Sequence, residues 1–342
     1  MEWMAEVRSR VDARLAQYLS DKHASAARLG EDAAVLVDAV RGLTMRGGKR
    51  LRPAVIVATY DAVRGDDAPD DLTPTLDVCA ALEVLQTYLL IHDDWMDGDA
   101  ERRGGPSVHT ALAARYGSTH LGAAVAVLAG DLASAYAWEL LCRATFPEGR
   151  LGDAITAFRV MQEEVVIGQH LDLLGAADVS LMQHLKTGSY TVRGPLALGA
   201  LLGGAHPEHV SSLNLFGDPL GVAFQLRDDL LGTFGDPRTT GKPAGNDLRA
   251  GKRTALVAAA ERLLERDARG PLDAVLGRAD ASSADVEAAT RLLETSGARA
   301  DVEAQLVAHR GAAREALAAA PISERGRARL TDLLALLTER DH

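Results

Sequence analysis

The stretch ALEVLQTYLLIHDDWMDGDAERRGG, Ala81 to Gly105, decides both the fold and the chemistry. Its first ten residues are apolar-rich at helical spacing and predict a buried helix. That helix runs into concentrated charge, with Asp93, Asp94, Asp97 and Asp99 beside Arg102 and Arg103. Residues four apart on a helix share a face and lie about 6 Å apart along the axis, so Asp93 and Asp97 project together. Two like charges that close repel, and the sequence offers them no evident neutralising partner. A hard divalent cation between them relieves the repulsion, and Mg²⁺ takes a couple of carboxylates together with phosphate oxygens and water. The arginines point to the phosphate. Taken alone, such an acidic run is more often a solvated helix end.

A second copy tips the balance. In GVAFQLRDDLLGTFGDPRTTGKPAGNDLRAGKRT, Gly221 to Thr254, Asp228 and Asp229 again follow an apolar helical run and are trailed by lysines. Two acidic helix ends of this kind, facing each other across a cavity, would hold a diphosphate through bridging Mg²⁺. A first basic cluster, MRGGKRLRP at Met45 to Pro53, crowds Lys49, Arg50 and Arg52 at a helix start, where free amides also favour anions. Gly47 and Gly48 let the backbone turn tightly there. It is not a P-loop, because Leu43 stands where the first glycine belongs and Arg50 follows the lysine.

Between these motifs the chain reads as helices and short loops. Helices are expected over 2–20 and 31–44, and an acidic surface loop over Gly65 to Pro74. A helix from about Ser118 to Arg143 carries Asp131 in an apolar run, where a buried acid would need a partner. Gln169 and Asp172 are spaced to support a metal's ligands. In HLKTGSYTVRGPLALGALLGG, Lys186, Thr187 and Tyr190 share a helical face suited to a charged reacting group. His92, His109 and His170 lack the spacing of a zinc site.

At 342 residues and 47% apolar, with few aromatics and little strand-like alternation, the chain reads as one large all-α domain over 1–342. A net charge of -11 disfavours nucleic acid as a partner. The N-terminus MEWMAEVRSR lacks the apolar core of a signal peptide, and a cytoplasmic protein is the simplest reading. No membrane span is expected, since the longest uncharged stretches, Leu121 to Gly130 and Gly194 to Ala205, fall short of the roughly 20 residues one requires. Cys79 and Cys142 read as separate buried thiols.

Taken together, GGKRLRP, DDWMD followed by RRG, and KT, FQ, DD and GK in that order resemble the trans-isoprenyl diphosphate synthase (polyprenyl synthetase) family from about Gly47 to Thr254. The resemblance implies a fold of packed helices around a deep central cavity, as in isoprenoid synthases, and a homodimer. It also implies head-to-tail condensation of an allylic diphosphate (dimethylallyl, geranyl or farnesyl) with isopentenyl diphosphate. By position, Asp93, Asp97 and Asp228 would bind Mg²⁺, three ions per site, with Asp94 and Asp229 supporting the cluster. Arg102, Lys186 and Lys242 would hold the allylic diphosphate, and Lys49, Arg52, Gln86 and Arg103 the isopentenyl diphosphate. Lys252 would close over the metals, while Thr187, Tyr190 and Gln225 would stabilise the carbocation and guide proton loss.

Two positions depart from the family pattern. Gly232 stands where a third aspartate usually completes the second motif, with Asp236 and Asp247 nearby, and Gln86 replaces a frequent histidine. A class I terpene cyclase would share the first motif but would not need GGKRLRP or the RRG pair. A non-catalytic synthase subunit has only Gly232 in its favour. Product length would be set beneath the first motif, where Leu89 lies one turn below Asp93 and Tyr88 about 7.5 Å below it. One aromatic there resembles the geranylgeranyl type, with farnesyl diphosphate second and longer chains third.

Overall fold

The computed structural model describes residues 2–147, 149–175, 178, 181–182, 184–235, 245–278 and 280–339. The expected all-α fold is what forms. In chain order the helices are α1 (Glu2–Ala27), α2 (Glu31–Met45), α3 (Leu51–Arg64), α4 (Leu76–Met96), α5 (Val108–Tyr116), α6 (Thr119–Arg143), α7 (Arg150–Leu173), a π-helix (His184–Arg193), α8 (Gly194–Gly203), α9 (Pro207–Phe234), α10 (Asn246–Arg249), α11 (Ala255–Leu263), α12 (Gly270–Asp273), α13 (Ser283–Thr295), α14 (Ala298–Ala319) and α15 (Glu324–Thr338). The one sheet among the described residues is a hairpin of two two-residue strands, Glu101–Arg102 against Gly105–Pro106.

The chain forms two compact units, Met1–Ala157 with Pro195–His206 and Ile322–Gly326, and Phe158–Gly194 with Pro207–Pro321 and Arg327–His342. In the first, α4 packs along α6, and α1, α2, α3 and α5 each contact α4. α3 is buried continuously from Pro53 to Val63, as an all-round apolar helix must be. α4 buries Val78 to Leu85, Thr87, Ile91 and Asp94, which is the helix that ALEVLQTYLL predicts, extended at both ends. α6 starts where Ser118 accepts a hydrogen bond from Leu121 N at 3.2 Å, satisfying one free amide of the first turn. In the second unit, α9 packs on α14 and on the π-helix around a core that includes Leu226, Leu230, Leu248, Leu256 and Val302.

Two expectations are corrected. Asp131 is not buried: its side chain is 64% exposed, because α6 turns Leu121, Leu128 and Asp131 to an uncovered face. Cys142 is exposed for the same reason, whereas Cys79 is buried as expected. Two helical stretches, Thr73–Met96 and Thr119–Arg143, are long and apolar enough to cross a membrane by length and composition alone, a test that core helices also pass. The apolar window of the first is 61% buried within the chain, as a core helix is, and that of the second only 33%.

Candidate active site

Consecutive helical residues point about 100° apart, so an Asp-Asp pair at the edge of a buried face sends one carboxylate inward and the other outward. In the first unit Asp94 is the inward one, fully buried, while Asp93 is half-buried and Asp97, at the end of α4, is exposed. Arg102 Nε donates to Asp94 Oδ1 at 2.6 Å and its Nη2 to Asp99 Oδ2 at 3.1 Å, with Asp93 Oδ2 3.7 Å away. Arg102 is thus a neutralising partner of Asp94 and Asp99, and at longer range of Asp93, that the sequence did not reveal. Burial pushes the Asp94 carboxyl up to about 6, helped by Asp93 and Asp99 and opposed by Arg102. Burial alone would lower the Arg102 pKa, but Asp94, Asp93 and Asp99 outweigh it and raise it.

The hairpin aims the neighbouring arginine elsewhere. Its two loop residues, Arg103 and Gly104, have φ of 53° and 71°, and a two-residue I′ connection requires both to be positive. From that left-handed position Arg103 Nη1 donates to Gly47 O at 2.8 Å. Gly47 and Gly48 have φ of 91° and 147°, the tight turn that GGKR predicts. Arg46 closes the pairing from the other side, donating to Arg102 O at 3.2 Å and Pro106 O at 2.6 Å. The GGKR loop and the RRGG hairpin are therefore one structure. Burial lowers the Arg103 pKa, and Arg50, Arg52 and Arg102 lower it further against Glu83, which is the electrostatic mark of a cation cluster short of an anion.

Arg50 does not face that anion site. Its backbone is left-handed, with φ 48°, and its guanidinium is buried against Asp12 Oδ1 at 2.8 Å, Thr44 O at 3.0 Å and Glu83. Lys49 stays exposed, and Arg52 and Gln86 are half-buried. Below the acids, Tyr88 and Leu89 are half-buried on α4, and the Tyr88 ring meets His92 edge-on at 4.8 Å.

The second unit repeats the division of labour. Asp228 is exposed and Asp229 buried. Asp229 accepts from Gln225 Nε2 at 2.7 Å and from Ala255 N at 2.8 Å, so it caps α11 together with Thr254, which accepts from Val257 N. A polar cavity of about 130 Å³ is lined by Asp172, Lys186, Gln225, Asp228, Asp229, Asp247 and Lys252. Lys186 Nζ donates to Asp172 Oδ2 at 2.6 Å, pairing two residues that the sequence singled out separately. The segment carrying Lys186 and Tyr190 is a π-helix rather than the expected α-helix. Gly168 on α7 lets that backbone approach, since a Cβ there would lie 2.4 Å from Lys186 N. Lys242 and Asp236 lie outside the described residues, as does the side chain of Thr187.

These donors fit Mg²⁺. They are hard carboxylate oxygens, and two buried oxygens beside them, Asp94 Oδ2 and Gln225 Oε1, have no hydrogen-bond partner. Among the described residues no three His, Cys, Asp or Glu side chains form a ready-made metal cage. That too suits an ion which keeps water and phosphate in its shell.

With this geometry established, the comparisons are decisive. The family model for polyprenyl synthetases matches residues 33–293. The chain belongs to the polyprenyl synthetase family. It is a trans-prenyltransferase. Among the relatives of this synthetase, a geranylgeranyl diphosphate synthase from Mycobacterium tuberculosis is 38% identical over 258 residues, covering 73% of this chain and 69% of that protein. A geranylfarnesyl diphosphate synthase from Aeropyrum pernix is 34% identical over 302 residues, covering 85% and 90%. A solved geranylgeranyl pyrophosphate synthase from Corynebacterium glutamicum, complexed with isoprenyl diphosphate and magnesium, superposes with a TM-score of 0.91 at 35% identity, covering 98% of this chain and 99% of that one.

Sequence reasoning missed Arg46 as the clamp on the hairpin, Arg50 as a buried anchor and Asp99 as a partner of Arg102. The proximity of Arg46 to GGKR was a signal. Nothing in the pattern KRLR says which arginine turns inward.

Proposed function

We propose that this synthetase condenses an allylic diphosphate with isopentenyl diphosphate head-to-tail and releases chiefly geranylgeranyl diphosphate. The observation that carries the reading is the outward carboxylate in each of two acidic pairs, Asp93 and Asp228, each backed by a buried partner that is tied to the protein. In this reading Asp93, Asp97 and Asp228 hold Mg²⁺, three ions per site, which offset the charge that develops as diphosphate leaves. Lys252 closes over the metals, and Lys186 and Lys242 hold the allylic diphosphate. Arg102 does so as well, while balancing Asp94 and Asp99. Lys49, Arg52, Gln86 and Arg103 take isopentenyl diphosphate on the loop and hairpin that Arg46 and Arg50 fix.

As the allylic C–O bond breaks, the freed carbon joins the terminal alkene carbon of isopentenyl diphosphate and a proton leaves. Thr187, Tyr190 and Gln225 border that step, and Tyr88 with Leu89 limits how far the chain extends. The relatives above, which are geranylgeranyl and geranylfarnesyl diphosphate synthases, support a geranylgeranyl or nearby product. The family match draws on residues of both compact units, which supports a single synthase domain over 1–342. The uncovered apolar face of α6 at Leu121 and Leu128 suits a second copy of the chain, and a cytoplasmic homodimer is the state we assign. Incubating the purified chain with isopentenyl and farnesyl diphosphates, with and without chelator, tests the whole reading. Metal-dependent twenty-carbon product supports it, and no elongation with any allylic primer overturns it.

A further inference from the structure

The imidazole of His92 is seated on α6 at a place where that helix has no side chain. A Cβ built on Gly130 would lie 2.3 Å from His92 Nε2, 2.4 Å from its Cδ2 and 3.3 Å from its Cε1, so the ring occupies the space that any other residue at 130 would fill. His92 Nε2 lies 3.1 Å from Val127 O. A carbonyl oxygen only accepts, so Nε2 carries the proton and donates, which fixes the tautomer. Gly130 is buried, as are the small residues Ala126, Ala129 and Ala133 beside it, and α4 packs along this helix. One turn back on α4, at the i, i+4 spacing that brings side chains together, the Tyr88 ring meets the imidazole edge-on, with centroids 4.8 Å apart and planes at 68°. The phenol ring thus rests on an imidazole whose own position is set by a carbonyl and by a missing Cβ.

We propose that His92 and Gly130 are positioning residues for product length, holding Tyr88 in the place from which it limits the growing chain. The proposal rests on the reading of Tyr88 as that limit and deepens it, because part of the control of length then lies on α6. A tyrosine has several staggered rotamers, and the edge-on imidazole favours one of them. Without that partner the ring swings aside in a fraction of the molecules, and further isopentenyl additions proceed. Alanine at 130 acts at one remove. Its methyl displaces the imidazole, because the three atoms it meets all belong to that side chain, while the backbones of α4 and α6 keep their spacing.

The test reads product length from the full chain with farnesyl diphosphate and excess isopentenyl diphosphate, by chromatography of the dephosphorylated alcohols. His92→Ala and Gly130→Ala are each made with Tyr88 present and in the Tyr88→Ala background, with circular dichroism confirming the fold. With Tyr88 present, each change should raise the ratio of longer product to wild-type product by roughly 2- to 10-fold, the worth of an edge-on ring pair. In Tyr88→Ala, which lengthens the product by itself, neither should add a further shift, since both act through that ring. Unchanged or shorter product with Tyr88 present, or an equal shift in both backgrounds, overturns the proposal. A second readout needs no turnover. In chain carrying isotope-labelled histidine, the His92 nitrogen resonances, assigned by their loss in His92→Ala, should show the Nε2–H tautomer in wild type and lose it in Gly130→Ala. Resonances that Gly130→Ala leaves unchanged also overturn the proposal. If Tyr88→Ala keeps the wild-type length, the reading of Tyr88 as the limit falls and this proposal with it; if Tyr88→Ala lengthens the product while His92→Ala and Gly130→Ala do not, only the role of His92 and Gly130 falls.

Discussion

Arg50→Met should damage the protein more than any loss of a substrate-facing cation. Arg50 and Glu83 are each 3% exposed, and their ion pair is supported by Asp12 and by Thr44 O. Methionine fills much of the volume but leaves Glu83 as a buried carboxylate without its guanidinium, which typically costs about 3–5 kcal/mol. An unfolding entropy of roughly 2.1 cal/mol/K per residue gives about 0.7 kcal/mol/K for 342 residues, so the melting temperature should fall by about 4–7 °C. Arg50 also anchors the loop bearing Lys49, so KM for isopentenyl diphosphate should rise by on the order of tenfold while KM for farnesyl diphosphate changes little, given that a 1 Å misplacement costs about 100-fold. Calorimetric melting and two-substrate kinetics read both effects. A melting loss under about 1 °C, with both KM values unchanged, would refute the buried-anchor reasoning.

Three further outcomes are expected. Asp93→Asn should lower turnover by about 10²–10³ with unchanged circular dichroism, and excess chelator should abolish wild-type activity; full activity in chelator sinks the metal assignment. Tyr88→Ala should shift the product to longer chains, read by chromatography of the dephosphorylated alcohols, and an unchanged length would show that this ring is not the floor. Asp94 carries a pH signature. Its folded value of about 6 lies above its ordinary 3.8, so the stability it contributes is full below 3.8 and is lost as pH rises through about 6. In chelator, the stability of wild type relative to Asp94→Asn should therefore rise by about 1 kcal/mol as pH falls from 7 to 5, read as a higher melting temperature; a fall would contradict it.

The sequence was most legible where chemistry and periodicity coincide. ALEVLQTYLL had to be a core helix, and α4 is one; the first Asp-Asp pair lies in its last turn, whereas the second stands more than a turn before the end of α9. It was least legible where a backbone angle chooses a direction. In GGKRLRP the left-handed turn at Arg50 sends one arginine into the core, and in RRGG the same angle at Arg103 sends one toward Gly47, although four arginines in two short motifs look alike on paper. Asp131 and Cys142 were misread because α6 looks like a core helix by composition, and whether a face is covered depends on what packs there. KTGSYTVRG gave helical spacing but no warning of a π-helix, whose backbone at Lys186 passes close to α7 at Gly168, a tertiary contact that local spacing does not encode.

The paired aspartates divide two tasks between two neighbours. Two neighbours on a helix cannot both face the same way, so one of each pair is committed to the fold: Asp94 to Arg102, and Asp229 to Gln225 and the start of α11. Replacing either inward carboxylate leaves a buried donor unsatisfied, at a cost of about 1–3 kcal/mol or more. The outward members are constrained by the cation instead. The difference shows in exposure: Asp93 is half-buried beside buried Asp94, Asp97 is exposed where α4 ends, and Asp228 is exposed beside buried Asp229. In the second unit α9 continues past Gly232 to Phe234, and the returning chain comes close enough for Gly245 N to donate to Gly232 O. A Cβ at 232 would meet only the carboxylate of Asp247, so glycine there leaves that side chain its room.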